Sequence, residues 1–324
     1  MNFGSNPLLT KPNTRYAEEA LRELDFFVHT DLFLNPSAHN ADIVLPVTTP
    51  WEHGGLYPGF QNSQRADSHL QLRQPAIAPR GEAHDDTWIV FELAKHLGLA
   101  HHFFDGAREA ALRHILQPSG ITLEELREQP RGINLEYKTD YHPYRKQGFT
   151  TPTRRLEVFS QRYAKNGYDP IPRFTVEQNS NKQFPLLLTT SKWPHYCHSQ
   201  HRNLPSLRKR MPAPRLEIHP QDAKEKNIKE GDKVIIHTQQ ATMQATANIT
   251  NNIAPGVVCA QYGWWQACDE LGLPGYAIQG KDNASYNSLI DGEVFDPISS
   301  SNGLRGGWCW VEKVGVEGML QCEN

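Results

Sequence analysis

The sequence predicts an α/β segment built on a parallel sheet, followed by a mainly β domain that closes into a small barrel, with the boundary near residue 180. Three observations carry this. Before residue 50, short apolar runs alternate with helical patterns. After residue 184 the hydrophobic period falls to two. The 324 residues suffice for about two domains at roughly 100–200 residues each.

The elements follow in order. Met1-Asn2-Phe3 reads as a very short strand, turned at once by Gly4-Ser5-Asn6-Pro7, where Asn-Pro favours a turn and Gly4 lets backbone approach a ligand. Tyr16 to Leu24 carries Ala17, Ala20, Leu21 and Leu24 on one helical face. Leu24 to Thr30 reads as a buried strand, with Asp31 just past its end, where ligands bind in open α/β sheets. Ala41 to Pro46 is a further short strand. Residues 51–84 read as loop. Asp85 or Asp86 caps a helix through Trp88, Ile89, Phe91 and Leu97, ended by Gly98. Thr122 and Glu125 form a capping box for another helix. Residues 128–183 are polar and rich in Pro, Tyr and Arg, which reads as an extended connector.

The second domain opens with the apolar run Pro185 to Leu188, which breaks into the His-rich loop Thr189 to Gln200. Leu216 to Pro220 is a strand ending at proline, Gln221 to Ile228 a short helix, and Lys233 to Thr238 a strand after the Gly231-Asp232 turn. From Thr242 to Thr250 the alternation is strict, with Met243, Ala245, Ala247 and Ile249 on one side. Val257 to Ala260 follows Pro255-Gly256.

Composition narrows the function. A hydrophobic fraction of 38 % is low, but 7 Trp, 13 Phe and 11 Tyr can fill cores, which argues against disorder. A net charge of −3 gives no reason to expect nucleic acid as partner, and no apolar run approaches the roughly 18 residues of a membrane helix, so no direct membrane insertion is expected. The five cysteines (Cys197, Cys259, Cys268, Cys309, Cys322) contain no Cys-x-x-Cys pair and do not read as a disulfide framework. The start of the chain has neither a basic nor an apolar leader region, so no secretory signal is read there.

The residue types of the 190–200 loop fit a large anion. Thr190, Ser191 and Ser199 offer hydroxyls, Lys192 a cation, and His195, Tyr196, His198 and Gln200 further polar groups. His195, His198 and His201 could instead hold zinc, though no carboxylate or cysteine completes a set. Asp31 is either a ligand or the cap of its turn. Glu52-His53 is either an acid/base pair or a surface loop. Trp264 and Trp265 read as core or barrel-rim packing. Arg154-Arg155 is undecided, and Cys197 reads as a passive small residue.

At this point the residues resemble a family, the C-terminal half of the catalytic subunit of molybdopterin oxidoreductases (the dimethyl-sulfoxide-reductase superfamily). Gly4-Ser5-Asn6-Pro7 looks like its Gly-x-Asn-Pro turn. Asp31 with Ala38 to Pro46 is similar to its Ala-Asp-Val-Val-Leu-Pro segment, and Glu52, Gly54 and Gly55 to its Glu-x-x-Gly stretch, with Gln64-Arg65 beyond. Gly148 to Ser160 resembles Phe-x-Thr-Pro-Ser-Gly-Lys-Ile-Glu-Leu-Tyr-Ser. From Leu186 the chain resembles the molybdopterin-dinucleotide-binding domain, through Arg202-Asn203, Glu217 to Pro220, Gly231-Asp232, Pro255 to Val258, Gly263-Trp264-Trp265 and Asn287 to Leu289.

The resemblance implies a partial, truncated Rossmann-like α/β domain over residues 1–180 and a six-stranded double-psi barrel over 181–324. It implies two molybdopterin guanine dinucleotides around molybdenum or tungsten, bound within this chain by Gly4, Asn6, Asp31, Thr190, Ser191, Lys192, His195, Tyr196, His198, Ser199, Gln200 and Asn287. Asp31 would accept from guanine. The metal ligand, any iron–sulfur cluster and a twin-arginine signal would belong to the N-terminal half, so the compartment, cytoplasmic or periplasmic, stays open. The implied partners are that N-terminal half or a complementing chain, and an electron-transfer iron–sulfur subunit. Without them the α/β portion should expose a sheet edge and apolar surface. Three functions stay open: a two-electron or oxygen-atom-transfer oxidoreductase, a non-catalytic pterin-binding fragment or carrier, and a hydrolase or decarboxylase with a His-based site.

Overall fold

The computed structural model describes residues 1–58, 64–136, 140–171, 173 and 182–315. The chain divides into two compact units, Met1–Pro46 with Asn179–Asn324, and Val47–Gln178. The expected boundary at residue 180, like Asn62 and Ser63, lies outside the described residues.

The first unit begins with a three-stranded parallel sheet, β1 (Asn2–Phe3), β2 (Val28–Asp31) and β3 (Ile43–Pro46), in the order β1-β2-β3. Asn2 pairs with His29, and Val28 with Ile43. The helix Thr14–Arg22 is set by Asn13, whose side chain accepts from the Tyr16 N–H. It starts and stops two residues earlier than the sequence pattern predicts. β2 starts later than predicted and includes Asp31 as its last residue. Leu24 and Phe26 are exposed, so the apolar run 24–27 is not the buried strand its composition implies.

The second unit corrects the loop reading of residues 51–84. β4 (Gly55–Pro58) pairs antiparallel with β5 (His69–Arg73), and β5 with β6 (Ile133–Asn134). β6 also places a strand inside the expected connector. The core gathers Leu72, Leu116, Leu123 and Leu126, with Leu56, Leu70 and Ile133 packed on it. Asp85 caps the helix Asp86–His96 by accepting from the Thr87 and Trp88 N–H groups, and its other oxygen accepts from Arg108 at 2.8 Å. Thr122 and Glu125 form the full capping box of Leu123–Glu128.

The rest of the first unit is a closed six-stranded barrel. Its strands are β7 (Leu186–Thr190), β8 (Arg215–Ile218), β9 (Lys233–His237), β10 (Thr242–Ile249), β11 (Val257–Ala260) and β12 (Gly307–Lys313). The order around the barrel is β10-β8-β11-β7-β12-β9. β10 runs parallel to β8 and β11 to β7; the other pairs are antiparallel. Every second residue points inward: Leu186 and Leu188, Leu216 and Ile218, Val234 and Ile236, Met243, Ala245 and Ala247, Val258 and Ala260, Cys309 and Val311. Each large side chain so buried contributes about 1.5–3 kcal/mol relative to exposure. Ala245 and Ala247 of β10 share this core with the larger Leu, Ile and Val side chains of the other strands, a mix of sizes suited to a narrow interior.

Candidate functional site

The sequence-expected site residues of the first unit fall into two clusters and one outlier. Gly4, Asn6 and Asp31 sit at the C-terminal end of the parallel sheet. Gly4 has a left-handed φ of +53°, with open space where a Cβ would stand, and its N–H donates to the Thr30 carbonyl at 2.8 Å. Asn6 is buried. Its Oδ1 accepts from the Ser37 hydroxyl at 2.8 Å, whereas its Nδ2 has no partner. Asp31 closes its own turn, accepting from the Phe33 N–H at 3.2 Å and from Asn35 Nδ2 at 2.8 Å. Behind it lies His29, fully buried. Asn2 Nδ2 stands 2.9 Å from its Nδ1 and Asn35 Nδ2 3.2 Å from its Nε2, with Asp31 Oδ2 3.8 Å from Nε2. Burial holds the His29 pKa below its usual value against the pull of Asp31.

The second cluster is the loop after β7. The Thr190 hydroxyl donates to the Ala260 carbonyl at 2.7 Å, and Ser191 Oγ accepts from Cys259 Sγ at 3.4 Å. Lys192, His198 and Gln200 are exposed, while Ser191, His195, Tyr196 and Ser199 are half-buried. The Tyr196 hydroxyl donates to the Met211 carbonyl at 2.7 Å, and its ring packs with Trp193, Met211, Trp264 and Tyr276 in a satellite core outside the barrel. Burial raises the Tyr196 pKa. The segment after β11 holds the loop from below. Gly263, at φ +80°, allows the backbone of His198 and Ser199 to lie against it, and the Trp265 indole N–H donates to the Ser199 carbonyl at 2.7 Å.

Two arginines organise this cluster. Arg202 and Arg208 are 3 % and 0 % exposed, and among the described residues neither meets a carboxylate within ion-pair distance. Arg202 donates to the carbonyls of His198 (2.6 Å), Gln200 (3.0 Å) and Tyr262 (2.7 Å). Arg208 donates to those of Pro212, Arg202, Gln266 and Pro274. The guanidiniums alternate with rings: Arg202 lies 4.5 Å from the Tyr196 centroid and 5.2 Å from Trp264, and Arg208 5.0 Å from Trp264 and 5.6 Å from Tyr276. Burial pushes the Arg202 pKa down to about 10, so it stays cationic at neutral pH.

Asn287 stands apart. It is buried in the 3₁₀ turn Tyr286–Leu289, and its carbonyl accepts from the Asn13 N–H at 2.8 Å. Among the described residues no hydrogen bond joins the 190–200 loop to Gly4, Asn6 or Asp31.

Comparison with known proteins fixes the family. A model described as molydopterin dinucleotide binding domain matches residues 186–307, and one described as molybdopterin oxidoreductase matches residues 1–96. The chain belongs to the molybdopterin oxidoreductases. It is 31 % identical over 299 residues to the F420-dependent formate dehydrogenase subunit alpha of Methanocaldococcus jannaschii, covering 89 % of this chain and 40 % of that protein. It is 29 % identical over 322 residues to the dimethyl sulfoxide reductase of Escherichia coli, covering 90 % and 38 %. The acetylene hydratase structure from Pelobacter acetylenicus shares the fold, with a TM-score of 0.81 at 24 % identity over 96 % of this chain and 44 % of that one. The chain thus spans about two-fifths of the length of the curated relatives it matches.

For a molybdopterin oxidoreductase the donors present suit an anionic dinucleotide. Buried polar atoms without a partner include Asn6 Nδ2, Trp193 Nε1, His195 Nδ1, His201 Nε2 and Arg202 Nε. Trp193 and Arg202 line a void of about 10 Å³, room for about one water. The zinc alternative loses its support, since among the described residues no three His, Cys, Asp or Glu side chains gather as metal ligands. Sequence reasoning took Arg202 only as part of the family pattern and passed over Arg208. A signal was present: from Phe184 to Leu216 there are six Lys and Arg (Lys192, Arg202, Arg208, Lys209, Arg210, Arg215) and no Asp or Glu.

In the second unit Glu52 and His53 do not form a pair. Glu52 is buried and accepts from the Thr49 N–H (2.7 Å), the Thr49 hydroxyl (2.8 Å) and the Arg80 N–H (3.0 Å). These bonds, that of the Thr49 backbone first, hold its carboxyl below the usual range, which makes it a poor base. His53 Nε2 accepts from Arg73 at 2.9 Å and Nδ1 faces the Thr48 hydroxyl at 2.9 Å. Arg73 can only donate, so the ring proton is on Nδ1. Both residues are engaged in holding their loop.

Proposed function

We propose that this chain is the cofactor-binding C-terminal portion of a molybdenum or tungsten oxidoreductase that carries two molybdopterin guanine dinucleotides and moves two electrons or an oxygen atom to or from a small substrate. The observation that carries this is the loop 190–202, rich in unpaired donors and free of carboxylates, inside the segment that the dinucleotide-binding model matches. The parallel sheet and the two parallel pairs within the barrel are what a truncated Rossmann-like domain and a double-psi barrel would contain.

In this reading Thr190, Ser191, Lys192, His195, Tyr196, His198, Ser199 and Gln200 hold one polar portion of the cofactor. Gly4, Asn6 and Asp31 hold another at the sheet end, where Asp31 keeps lone pairs for a guanine N–H donor. Asn287 lies at the turn that ties the sheet segment to the barrel. When bound, the metal and its pterins supply the electron-pair and oxygen-atom chemistry; the residues here bind, orient and exclude water. A complementing chain or N-terminal half would supply the metal ligand and cover the exposed Leu24, Phe26, Leu32, Phe33 and Leu34, and an iron–sulfur subunit would relay electrons.

The test is metal and pterin analysis of the protein purified from cells that make the cofactor, together with whatever co-purifies. Stoichiometric pterin with molybdenum or tungsten supports the proposal. Pterin without metal or turnover favours a carrier, and activity without pterin sinks both.

A further inference from the structure

We infer that Arg202 is a positioning residue that holds the 197–201 backbone in an anion-accepting form, an assignment that rests on the reading of this loop as a phosphate-binding element. Among the described residues the backbone N–H groups of Cys197, His198, Ser199 and His201 have no hydrogen-bond acceptor. His198 and His201 have left-handed φ values of +47° and +72°, which non-glycine residues adopt at a cost and keep only where the surroundings enforce it. Successive free N–H groups about a left-handed residue are the arrangement that makes an anion-binding concavity.

What enforces the conformation is on the carbonyl side. Arg202 Nη1 donates to the carbonyls of His198 and Gln200 together. Nη2 ties them to Tyr262 on the segment beneath, and Trp265 donates to the Ser199 carbonyl between them. Three consecutive carbonyls, those of His198, Ser199 and Gln200, are thereby engaged, and the Gln200 N–H closes on the Cys197 carbonyl at 2.9 Å, so that the N–H groups of Cys197, His198, Ser199 and His201 are the ones left over. The guanidinium itself cannot turn away, because it is flanked by Tyr196 and Trp264 and its backbone N–H is fixed by Gln266 Oε1 at 3.0 Å. A lysine would keep the charge but not the planar fork that spans two carbonyls.

The experiment uses the full chain purified from cells that do not make the cofactor, with inorganic pyrophosphate as the probe. Affinity is measured by calorimetry for wild type, Arg202→Lys and Trp265→Phe, and hydrogen exchange is followed at the amides of residues 197–201. We expect Arg202→Lys to bind roughly tenfold more weakly, the order of one lost charged hydrogen bond, with faster exchange confined to that loop. Its dependence on salt should match that of wild type, because the charge is retained. Trp265→Phe, which changes no charge and leaves the satellite core intact, should show the same pattern to a smaller degree and serves if Arg202→Lys does not fold. Wild-type affinity and exchange in both variants overturn the inference while leaving the phosphate reading in place. Failure of the wild-type chain to bind pyrophosphate overturns that reading, and the inference with it.

Discussion

Gly263 offers a sharp perturbation of the loop from the opposite side. In Gly263→Ala the new Cβ would overlap the His198 carbonyl oxygen, and would stand 2.9 Å from the carbonyl carbon and 3.0 Å from Ser199 Cα. The left-handed backbone at φ +80° costs an alanine about 1–2 kcal/mol, and the overpacking adds roughly 1–3 kcal/mol. The loop could give way instead, at the expense of the Arg202–His198 and Trp265–Ser199 bonds, together worth roughly 2–4 kcal/mol. Either route adds to the backbone cost and the two are close, so a total loss of about 3–5 kcal/mol is expected with the loop displaced. For a unit of this size that lowers Tm by roughly 5–15 °C. Gly256→Ala is the control: φ is +78°, but nothing lies within 4 Å of its added Cβ, so only the backbone cost applies. Thermal melts followed by far-UV circular dichroism give the stability difference, and the near-UV signal of Trp264 and Trp265 reports the loop. Equal melting and equal near-UV spectra for the two variants would refute the claim that Gly263 exists to admit the loop.

Three further outcomes follow from the geometry. Thr122→Ala removes one half of the capping box and should cost the second unit about 0.5–2 kcal/mol in urea unfolding; an unchanged midpoint would count against the helix as a stabilising element. Glu52 has a folded pKa below its usual 4.5, so its contribution is present above that value and lost as pH falls through the depressed one; Glu52→Gln should be less stable than wild type at pH 7, with the gap closing toward pH 3 in melts taken across that range. His29 also has a lowered pKa, by burial, so its part in stability is present above the usual 6.5 and lost on acidification through the folded value; His29→Gln should flatten the fall in Tm below pH 6, and an unaltered slope would show that the Asn2–His29–Asn35–Asp31 network does not titrate as described.

Legibility in the sequence tracked the physical source of each element. β10 was readable because its alternation is forced by one buried and one solvated face, and the structure buries Met243, Ala245 and Ala247 as the pattern requires. The Thr122–Glu125 box was readable because capping is local. The β4–β5 hairpin was passed over although His69-Leu70-Gln71-Leu72-Arg73 alternates, because both strands are short and the other partner of β5, β6, is far along the chain. β12 was missed for a different reason: Trp308 and Trp310 stand on the side away from the core while Cys309 and Val311 point inward, so the largest apolar residues mark the wrong face. Trp310 instead stacks on His237 at 3.9 Å, a cross-strand contact that no local pattern announces.

The arginines are the instructive case. Sequence shows that a cation is present but not whether it is buried, because burial of a charge is decided by partners distant in the chain. Pro274 and Gln266 lie about sixty residues from Arg208, and nothing near Arg208 calls for them. An isolated buried charge would be prohibitively costly. Here carbonyl dipoles supply the solvation that water would, and aromatic faces add to it. A carboxylate partner would have served as well for stability and would have cancelled the field. Carbonyls solvate a charge without neutralising it, so the two guanidiniums still act on their surroundings. At an effective dielectric near 20 and a separation of roughly 10 Å, each favours a unit negative charge by about 1.7 kcal/mol. That choice of partner, oxygen dipoles in place of an acid, leaves a positive field at the loop, as the proposed role in receiving an anion requires. It also accounts for the one compositional trace the arrangement leaves, the absence of any Asp or Glu between Phe184 and Leu216.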